Sequence, residues 1–510
     1  MQFVENSETQ RFVIILVDFL YICQDDFCMM ITLANNNLIP NLKQLIFIKQ
    51  EDTGMKKKLA LLLAAAMMIT VLLAGCGGNN ADTPNNNDAS NNTSSPSAPD
   101  TNEPASSGNG GTISFWNIAT DEPDKTLFTY AVDKYNNESA AASGYTIEQV
   151  STVNDQYKEK LAVAMGAGQC PDVYTNWTGG SLVEYMKSGY AQDLTELVDK
   201  YGLRDLYTEA SLAQATIDGK IYAIPVKSNS VASFFYDKAM WAEKGYEVPT
   251  TIDELEALCD RMVADGITPF ALANQAQWTG SMYYMYLVTR HGGPDIVTNA
   301  YAGTGSLDNE STIWAGQKLQ EWVNKGYFPT GVNSLSPDNG DDRALLYQGA
   351  GMMLHGSWQV SMIKSENPEF YENMGAFAFP SLTGSNADQT AVVGTLGDTF
   401  VSFSCTGEKL EEAFKMVTIF SSDEWMNLDI ESGNLPPLKA ATSSEPAWQD
   451  ILAVLNKASS VQLWWDQYLP ASVADVHKSA SQKCFDVSAT PEAIAQEQQA
   501  AMDEYLKENG

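Results

Sequence analysis

The segment Thr112-Ile113-Ser114-Phe115-Trp116 decides the fold class, because it predicts a β-strand that opens a regular alternation of strands and helices. Apolar residues with helical spacing follow over 125–136, a second strand over 145–150, a second helix over 154–165 and a third strand over 171–174. Helices of this length between strands are typical of crossover connections. The sequence therefore predicts an α/β protein built on a mainly parallel sheet.

Turn and cap signals extend this pattern along the chain. Asp218-Gly219 lies between two apolar stretches and predicts a tight β-hairpin. Asn154 can cap the second helix, and Thr251 with Glu254 predicts a capping box for a helix that ends near residue 264. No repeat of fixed length runs through the sequence, so a solenoid or a propeller is not expected.

Length and composition limit the possible functions. A chain of 510 residues exceeds what one hydrophobic core usually organises, so two lobes or domains are expected. The 30 Lys and Arg against 64 Asp and Glu give a formal charge of −34, which disfavours nucleic acid as a partner, although solubility alone would also account for it. The three histidines and seven cysteines show no metal-ligand spacing, so neither a metal nor a cofactor is predicted. The sequence leaves open whether four scattered cysteines pair: Cys170, Cys259, Cys405 and Cys484.

A targeting signal precedes the folded part. Met55-Lys56-Lys57-Lys58 is followed by an uncharged, mostly apolar run over 59–73, which is shorter than the roughly 20 residues that span a bilayer. The run ends in Leu73-Ala74-Gly75-Cys76, which resembles a bacterial lipobox. The pattern predicts a lipoprotein signal peptide over 55–75, with Cys76 taking the lipid that anchors the protein outside the bacterial cell membrane.

The segments on either side of this signal are interpreted differently. Because a signal peptide acts at an N-terminus, residues 1–54 are interpreted as a non-native extension, with translation starting at Met55. Residues 76–110 begin with the lipidated cysteine and continue with Asn, Ser, Thr, Pro and Gly and almost no large apolar residue. Such a composition buries too little apolar surface to offset its ordering entropy, so a disordered linker is predicted.

Six segments of the folded part occur in the order and spacing of one protein family. They are Ile113-Ser114-Phe115-Trp116-Asn117, residues 157–168 with Pro171-Asp172-Val173, residues 218–225, residues 235–238 followed by 249–255, residues 352–358, and Glu412-Ala413-Phe414 with Gly433-Asn434-Leu435-Pro436. Together they resemble extracellular solute-binding protein family 1, the sugar-binding group that includes the maltodextrin-binding proteins. The resemblance covers about residues 111–510.

The resemblance implies a two-lobed, periplasmic-binding-protein-like (type II) α/β fold with a hinge and an interlobe cleft. The first lobe would comprise 111–226 and 395–440, and the second 231–394 and 441–510. The lobes would close on a carbohydrate, and the closed monomer would dock on the permease subunits of an ABC importer. No phosphate-binding Gly-x-x-x-x-Gly-Lys-Ser/Thr motif is present in the sequence, so the ATPase is expected on another subunit.

Candidate ligand-binding residues follow from the chemistry of sugars. Sugars present hydroxyl rims and apolar faces, so their sites need flat aromatic rings beside amide and carboxylate groups. Ligands of open α/β sheets lie beyond the carboxyl ends of the strands, and the resemblance adds loops of the second lobe. The candidates are Trp116, Asn117, Asp121, Asn176, Trp177, Asn274, Gln275, Gln277, Trp278, His355, Trp358, Asp398, Trp464 and Trp465. Adjacent residues of a helix point apart, so one of Trp464 and Trp465 is expected to face the ligand. The number of tryptophans favours an oligosaccharide over a monosaccharide as the ligand. Three tryptophans within helical patterns are predicted to pack in the core or between helices instead: Trp314, Trp322 and Trp425.

Three other functions stay open at this stage. A receptor of the same fold could bind a polyamine or a peptide, and a polyamine would suit the acidity. A secreted glycoside hydrolase or lyase would need paired carboxylates, which are abundant here, although no catalytic residue is predicted and the sequence lacks Gly-x-Ser-x-Gly and His-Glu-x-x-His motifs. A passive surface or adhesion lipoprotein would bind no small solute.

Overall fold

The structure, a computed structural model, describes residues 11–16, 19–24, 27–32 and 110–509. The chain divides into two compact units, Met1–Glu103 and Pro104–Gly510. In the first unit three strands pair in antiparallel order: Arg11–Leu16 (β1), Phe19–Gln24 (β2) and Phe27–Thr32 (β3). The predicted signal peptide, the lipidation site at Cys76 and the predicted linker up to residue 109 lie outside the described residues.

The strands of the second unit belong mainly to two five-stranded sheets. They are Gly111–Asn117 (β4), Tyr145–Ser151 (β5), Val173–Asn176 (β6), Thr216–Ile217 (β7), Lys220–Ile221 (β8), Ile224–Pro225 (β9), Ser230–Asp237 (β10), Met353–Gly356 (β11), Met374–Phe377 (β12), Val392–Thr395 (β13), Phe400–Phe403 (β14) and Val461–Gln462 (β15). One sheet has the order β5-β4-β6-β14-β9, and the other has the order β11-β10-β13-β15 with β12 also paired to β10. We call the parts built around these sheets the first lobe and the second lobe.

Helices cover both sheets. The helices that precede β12 in the chain are Asp124–Glu138, Ala140–Ser143, Asn154–Gly166, Gly180–Lys187, Thr195–Lys200, Leu203–Leu206, Glu209–Gln214, Lys238–Lys244, Ile252–Ala264, Trp278–Gly292, Asp295–Tyr301, Glu310–Asn324, Asp341–Tyr347, Gln359–Glu366 and Pro368–Asn373. Beyond it they are Gly407–Thr418, Asp423–Glu431, Pro446–Leu455, Trp465–Tyr468, Ala471–Asp486 and Pro491–Asn509. Short 3-10 turns lie at Val332–Ser334, Pro337–Asn339 and Ile419–Ser421.

Strand direction differs between the two sheets. In the first lobe β4 runs parallel to both β5 and β6, as the alternation of strands and helices predicted. β14 runs antiparallel to β6 and β9, because it returns from the second lobe. In the second lobe β10 pairs antiparallel with β11, β12 and β13, and only β13 and β15 are parallel. The prediction of a mainly parallel sheet is therefore wrong for the second lobe, since the strands that return after helices lie against β10 in the opposite direction.

Local signals were more reliable than strand direction. Asp218 (φ 51°) and Gly219 (φ 78°) are both left-handed, as a two-residue type I′ hairpin between β7 and β8 requires. The capping box of Thr251 and Glu254 is present, and its helix ends at Ala264. The predicted cap at Asn154 is wrong, because the helix begins at that residue, Val153 occupies the cap position and no side chain caps from there.

Each lobe has its own aromatic core. In the first lobe Phe128 packs against Phe420, whose ring is met edge-on by buried Trp425. In the second lobe Phe270 contacts Phe234 and Trp322. Trp322 and Trp425 are therefore packing residues, as predicted. The four cysteines of the folded part are unpaired.

Two neighbouring chain segments connect the lobes and form the hinge. One crosses from β9 to β10, the other from β13 to β14, and they are joined by hydrogen bonds from Val226 N–H to Thr399 O (3.0 Å) and from Asp398 N–H to Ser228 O (2.6 Å). The Oγ of Ser228 also accepts the N–H of Leu435 at 2.7 Å, which holds a third segment against the hinge. These crossings agree with a two-lobed molecule, while the residue boundaries given for the lobes stay a prediction. Across the described residues, no helix combines the length and hydropathy that crossing a bilayer requires.

Candidate functional site

A cavity of about 140 Å³ lies between the two lobes, beside the hinge. Side chains of the first lobe line one side, and side chains of the second lobe line the other. The lining residues are Ile118, Thr120, Asp121, Glu122, Asp124, Val153, Asn154, Lys158, Trp177, Lys227, Trp278, Met282, Pro337, Asp338, Arg343, His355, Trp358, Gln359, Met362, Asp398, Trp464, Asp466 and Gln467. For scale, an engineered apolar cavity of ~150 Å³ binds one benzene molecule, so this space suits a single six-membered ring.

Three tryptophans form a continuous aromatic wall on the side of the second lobe. The ring of Trp358 lies 6.0 Å from that of Trp278 and 6.1 Å from that of Trp464. Trp358 lies two residues after the end of β11, and Gly356 lets its ring lie over the strand end, since a Cβ at that position would overlap the indole. Gln277 adopts a left-handed φ of 70° and turns the chain into the helix that starts with Trp278.

His355 supports this wall from behind. Its ring meets Trp278 at 5.4 Å and Trp358 at 5.1 Å, edge-on in both cases, and only 2% of the residue is exposed. Its Nδ1 accepts the N–H of Gly356 (3.0 Å), and its Nε2 lies 3.2 Å from Oδ2 of buried Asp342 and 3.3 Å from Nε2 of Gln359. The geometry assigns His355 to holding two tryptophans in place, because both ring nitrogens are occupied by the protein.

The side near the hinge is charged. Buried Lys227 pairs with Asp124 (2.6 Å) and with Asp398 (3.3 Å). Burial opposes the charge on Lys227, but the two carboxylates prevail and raise its pKa. Burial also raises the pKa of Asp398, against the opposing effect of Lys227. The cavity floor is thus a compact charged triad that joins the hinge to the first turn of helix Asp124–Glu138.

Several contacts cross the cleft from one lobe to the other. Lys158 lies 4.5 Å above the ring of Trp177 in its own lobe and 3.7 Å from the carboxylate of Asp466 in the second lobe. The main-chain N–H of Asp155 donates to Oδ2 of Asp338 at 3.5 Å, so the second lobe supplies a carboxylate to the uncapped start of helix Asn154–Gly166. At Gly180 a Cβ would overlap the backbone at Leu469 of the second lobe. The two lobes therefore touch around the cavity.

Some lining side chains carry hydrogen-bonding atoms that have no partner among the described residues. They are Nε1 of Trp464, Oε1 of Gln359 and Oε1 of Gln467. Gln359 and Trp464 are only 1% and 2% exposed, so an unmatched polar atom there costs free energy unless a ligand pairs with it. An aromatic surface edged with unmatched donors and acceptors suits a ligand that has both an apolar face and hydroxyl groups.

Seven of the residues predicted from the sequence meet in this cavity. They are Asp121, Trp177, Trp278, His355, Trp358, Asp398 and Trp464. Of the adjacent pair, Trp464 lines the cavity, while Trp465 is buried against Tyr284 and His477 in the core of the second lobe. Ligand contact by these residues stays a prediction.

Three predicted residues of the first lobe lie outside the cavity lining. Trp116 packs beside Tyr157 and carries Lys160 over its ring at 4.5 Å. Asn117 Oδ1 accepts the N–H of Ala119 (3.0 Å), and Asn176 Nδ2 donates to a strand neighbour, Ser402 Oγ (2.7 Å). These polar groups at strand ends hold the sheet and its loops together.

Three predicted residues of the second lobe also lie outside it. Asn274 is buried, and its Oδ1 accepts the N–H of Gly280 at 2.8 Å. Gln277 Nε2 donates to Gln482 at 3.2 Å, and Gln275 is exposed. The loop that carries them serves instead to fix the start of the helix at Trp278.

Other lining residues were missed by the sequence reasoning. Lys158 lies within the family-like segment at 157–168 and Asp466 directly follows Trp465, so their positions in the sequence were an available signal. Lys227 lies just after the hairpin segment, where a lysine in an apolar context signals a buried ion pair. Gln359 likewise directly follows the predicted Trp358, whereas for Asp338 the sequence holds no comparable signal.

Comparisons with known proteins agree with this architecture. The sequence profile of the family described as "Bacterial extracellular solute-binding protein" matches residues 119–427. The "Multiple sugar-binding protein" of Streptococcus mutans is 27% identical over 264 residues, which cover 49% of this chain and 58% of that one. The match thus spans less than two thirds of the length of that curated relative.

Solved structures match over a larger share of their length. A structure from work on xylan utilization by the thermophilic bacterium Caldanaerobius polysaccharolyticus superposes with a TM-score of 0.70 at 27% identity, covering 76% of this chain and 99% of that one. A chitin oligosaccharide binding protein has a TM-score of 0.71 at 24% identity, with 78% and 99% covered. The predicted two-lobed α/β fold is confirmed.

Proposed function

We propose that this chain, which belongs to the bacterial extracellular solute-binding protein family, captures a carbohydrate between its lobes and presents it to the membrane subunits of an ABC importer. The observation that carries the proposal is the aromatic wall of Trp278, Trp358 and Trp464, edged by unmatched polar atoms. A sugar ring would stack its C–H face on the indoles, and its hydroxyls would bond the amides and carboxylates. The names of the S. mutans relative and of the chitin oligosaccharide receptor support the same ligand class.

The proposed ligand contacts divide between the lobes. Trp177, Asp121 and Asp398 would hold the ligand from the first lobe and the hinge, and Trp358 and Trp464 from the second. A ligand that touches both sides favours the closed arrangement by its differential affinity for it. The enclosed space suits one ring, so an oligosaccharide would place one unit in the cavity and extend along the cleft.

Membership of the family implies an extracytoplasmic location. We propose further that Cys76 carries the lipid anchor and that residues 77–110 form the tether. A metabolic label of a fatty-acid analogue should enter the wild-type protein and be lost in Cys76→Ala. Label in that variant would contradict the anchor and leave the ligand proposal intact.

The ligand class can be tested with the soluble chain that starts after Cys76. Unfolding by heat would be followed against xylo-, malto-, cello-, manno- and galacto-oligosaccharides. A ligand present at 100 times its Kd adds about 2.7 kcal/mol to the free energy of unfolding, which raises Tm by a few degrees for a domain of this size. A rise with one class, lost in Trp358→Ala, would support the proposal.

Controls separate this function from the alternatives. Trp314→Ala removes a half-buried tryptophan that stacks on His291 outside the cavity lining, and it should keep the ligand response. No response to any sugar together with a clear rise in spermidine or a peptide mixture would overturn the ligand class. Release of shorter sugars from the oligosaccharides would point to an enzyme.

A further inference from the structure

We infer that the carbohydrate recognised here carries a protonated amino group, so that the preferred ligands are amino sugars and their oligomers. This inference rests on the proposed function and narrows its ligand class. It follows from the charges around the cavity: carboxylates outnumber cations, and some of the carboxylates have no ion-pair partner. The aromatic wall and the buried unmatched atoms of Gln359 and Trp464 independently mark the cavity as a ligand site.

The lining holds six carboxylates and three fixed cations. Each cation already has an anionic partner. Lys227 contacts Asp124 and Asp398, Lys158 contacts Asp466, and Arg343 makes a two-point contact with Glu366, both bonds at 2.7 Å. None of these cations forms an ion pair with the other three lining carboxylates, although Lys158 lies near enough to lower the pKa of Asp338.

Three lining carboxylates have no ion-pair partner among the described residues: Asp121, Glu122 and Asp338. Asp155 of the first lobe lies outside the cavity lining but next to Asp338 of the second lobe, since its main-chain N–H donates to the Asp338 carboxylate. Burial raises the pKa of Asp338, and the neighbouring Asp155 raises it further. Burial likewise raises the pKa of Asp155, which Lys158 and Lys478 partly offset. Approach of the lobes thus concentrates negative charge at this end of the cavity.

A neutral sugar and an amino sugar would meet this charge differently. Hydroxyl groups satisfy single carboxylate oxygens but leave the repulsion between the carboxylates in place. An ammonium group offers three N–H donors and a full positive charge, so it forms charge-assisted bonds and removes the repulsion that opposes closure. The indole faces of Trp358 and Trp464, which line the same cavity, are also favourable neighbours for a cation.

Binding of matched sugars to the soluble chain tests the inference directly. Isothermal titration would compare glucosamine and galactosamine oligomers with their N-acetylated forms and with glucose and galactose oligomers of equal length and linkage, at about pH 6, below the pKa of an ordinary amine. We expect at least one amino sugar to bind about tenfold tighter than its N-acetylated form, a difference of about 1.4 kcal/mol. The preference should shrink as salt is raised, because part of it is electrostatic.

Variants locate the preference. Asp338→Asn, and separately Glu122→Gln at an exposed rim position, should each reduce the ratio of amino to N-acetylated affinity several-fold. Asp133→Asn is the matched control, since Asp133 is an exposed carboxylate on helix Asp124–Glu138 that does not line the cavity. Its ratio should stay at the wild-type value.

The outcomes separate this inference from the proposed function. Equal or tighter binding of N-acetylated or neutral sugars would overturn the inference and leave a carbohydrate receptor. Binding of spermidine with no response to any sugar would overturn both. An amino-sugar preference that is unchanged in Asp338→Asn and in Glu122→Gln would also overturn it, because the preference would then have another origin.

Discussion

The two walls of the cleft are built from different materials. The wall of the second lobe is aromatic, and its tryptophans begin helices at the ends of strands or loops and continue into a large hydrophobic core. The side formed by the first lobe and the hinge is charged, and it consists of Lys158, Lys227 and the carboxylates around them. Packing holds the aromatic wall in place, whereas the balance of charge on the other side depends on which lobe and which ion lies opposite. We therefore expect the aromatic wall to select the shape of the ligand, and the charged side to couple ligand binding to closure of the lobes.

The largest effect is expected at the centre of the aromatic wall. Trp358→Ala removes the ring that contacts both neighbouring tryptophans, and it should weaken ligand binding by about 3 kcal/mol, roughly 150-fold. Titration calorimetry with the sugar identified by thermal shift measures it. A change below about threefold would move the binding surface away from this wall.

The core of the second lobe around Trp465 should respond to pH. His477 is fully buried beside Trp465, its Nδ1–H donates to Gln498 Oε1, and burial lowers its pKa to about 4. The unfolded chain takes up this proton near pH 6.5, so the folded state loses stability as pH falls from 6.5 through 4. Between pH 7 and 5 the loss attributable to His477 should be about 2 kcal/mol.

Denaturant unfolding at both pH values checks this contribution. His477→Gln keeps a polar side chain but cannot titrate, so its stability should vary less between pH 7 and pH 5 by that amount. An unchanged pH dependence in the variant would mean that other groups dominate acid destabilisation.

A smaller effect is expected on the charged side. Lys158→Met keeps the aliphatic stem but removes the ion pair with Asp466 across the cleft and the cation over Trp177. Because the lysine is partly exposed, the loss should be about 1 kcal/mol, or roughly fivefold in affinity, mainly as faster ligand release. Lys160→Met is the matched control, because Lys160 lies at the same 4.5 Å above Trp116, on the same helix but outside the cavity lining. Equal effects of the two variants would show that the loss is not specific to closure.

The smallest effect on affinity is expected at Trp116 of the first lobe, and Trp177 of the same lobe provides the contrast. Trp116→Ala should change affinity by less than about twofold, although it costs some stability, because Trp116 packs outside the cavity lining. Trp177→Ala should weaken binding by about tenfold or more. Similar affinities for the two variants would place the sugar elsewhere on the first lobe.

Much of the fold could be predicted from the sequence, because its signals are local. The hairpin at Asp218-Gly219 and the capping box at Thr251 depend on residues that are close in the chain, and both are present. Strand direction in the second lobe depends on how distant segments return, which the spacing of apolar residues does not contain. The parallel centre of the first sheet was predicted, whereas the antiparallel pairing of β10 was not.

The site was predictable where the chemistry lies at strand ends. Trp177 directly follows β6, Trp358 lies two residues after β11, and both line the cavity. Asn176 occupies an equivalent position, but its amide bonds Ser402 on a strand that arrives more than 200 residues later, a partner that no local pattern reveals. Gln359 was not predicted, because a single glutamine at a helix start is common. Only its burial beside His355 shows that it belongs to the site.

The close approach of Gly180 to the backbone at Leu469 has a practical consequence for reagent design. Even one methyl group there would wedge the lobes apart, while the groups that touch the ligand would keep their identity. Gly180→Ala would therefore weaken the affinity of a fluorescent sugar sensor built on this protein. The reporter would respond at higher sugar concentrations without a change in which sugar it selects.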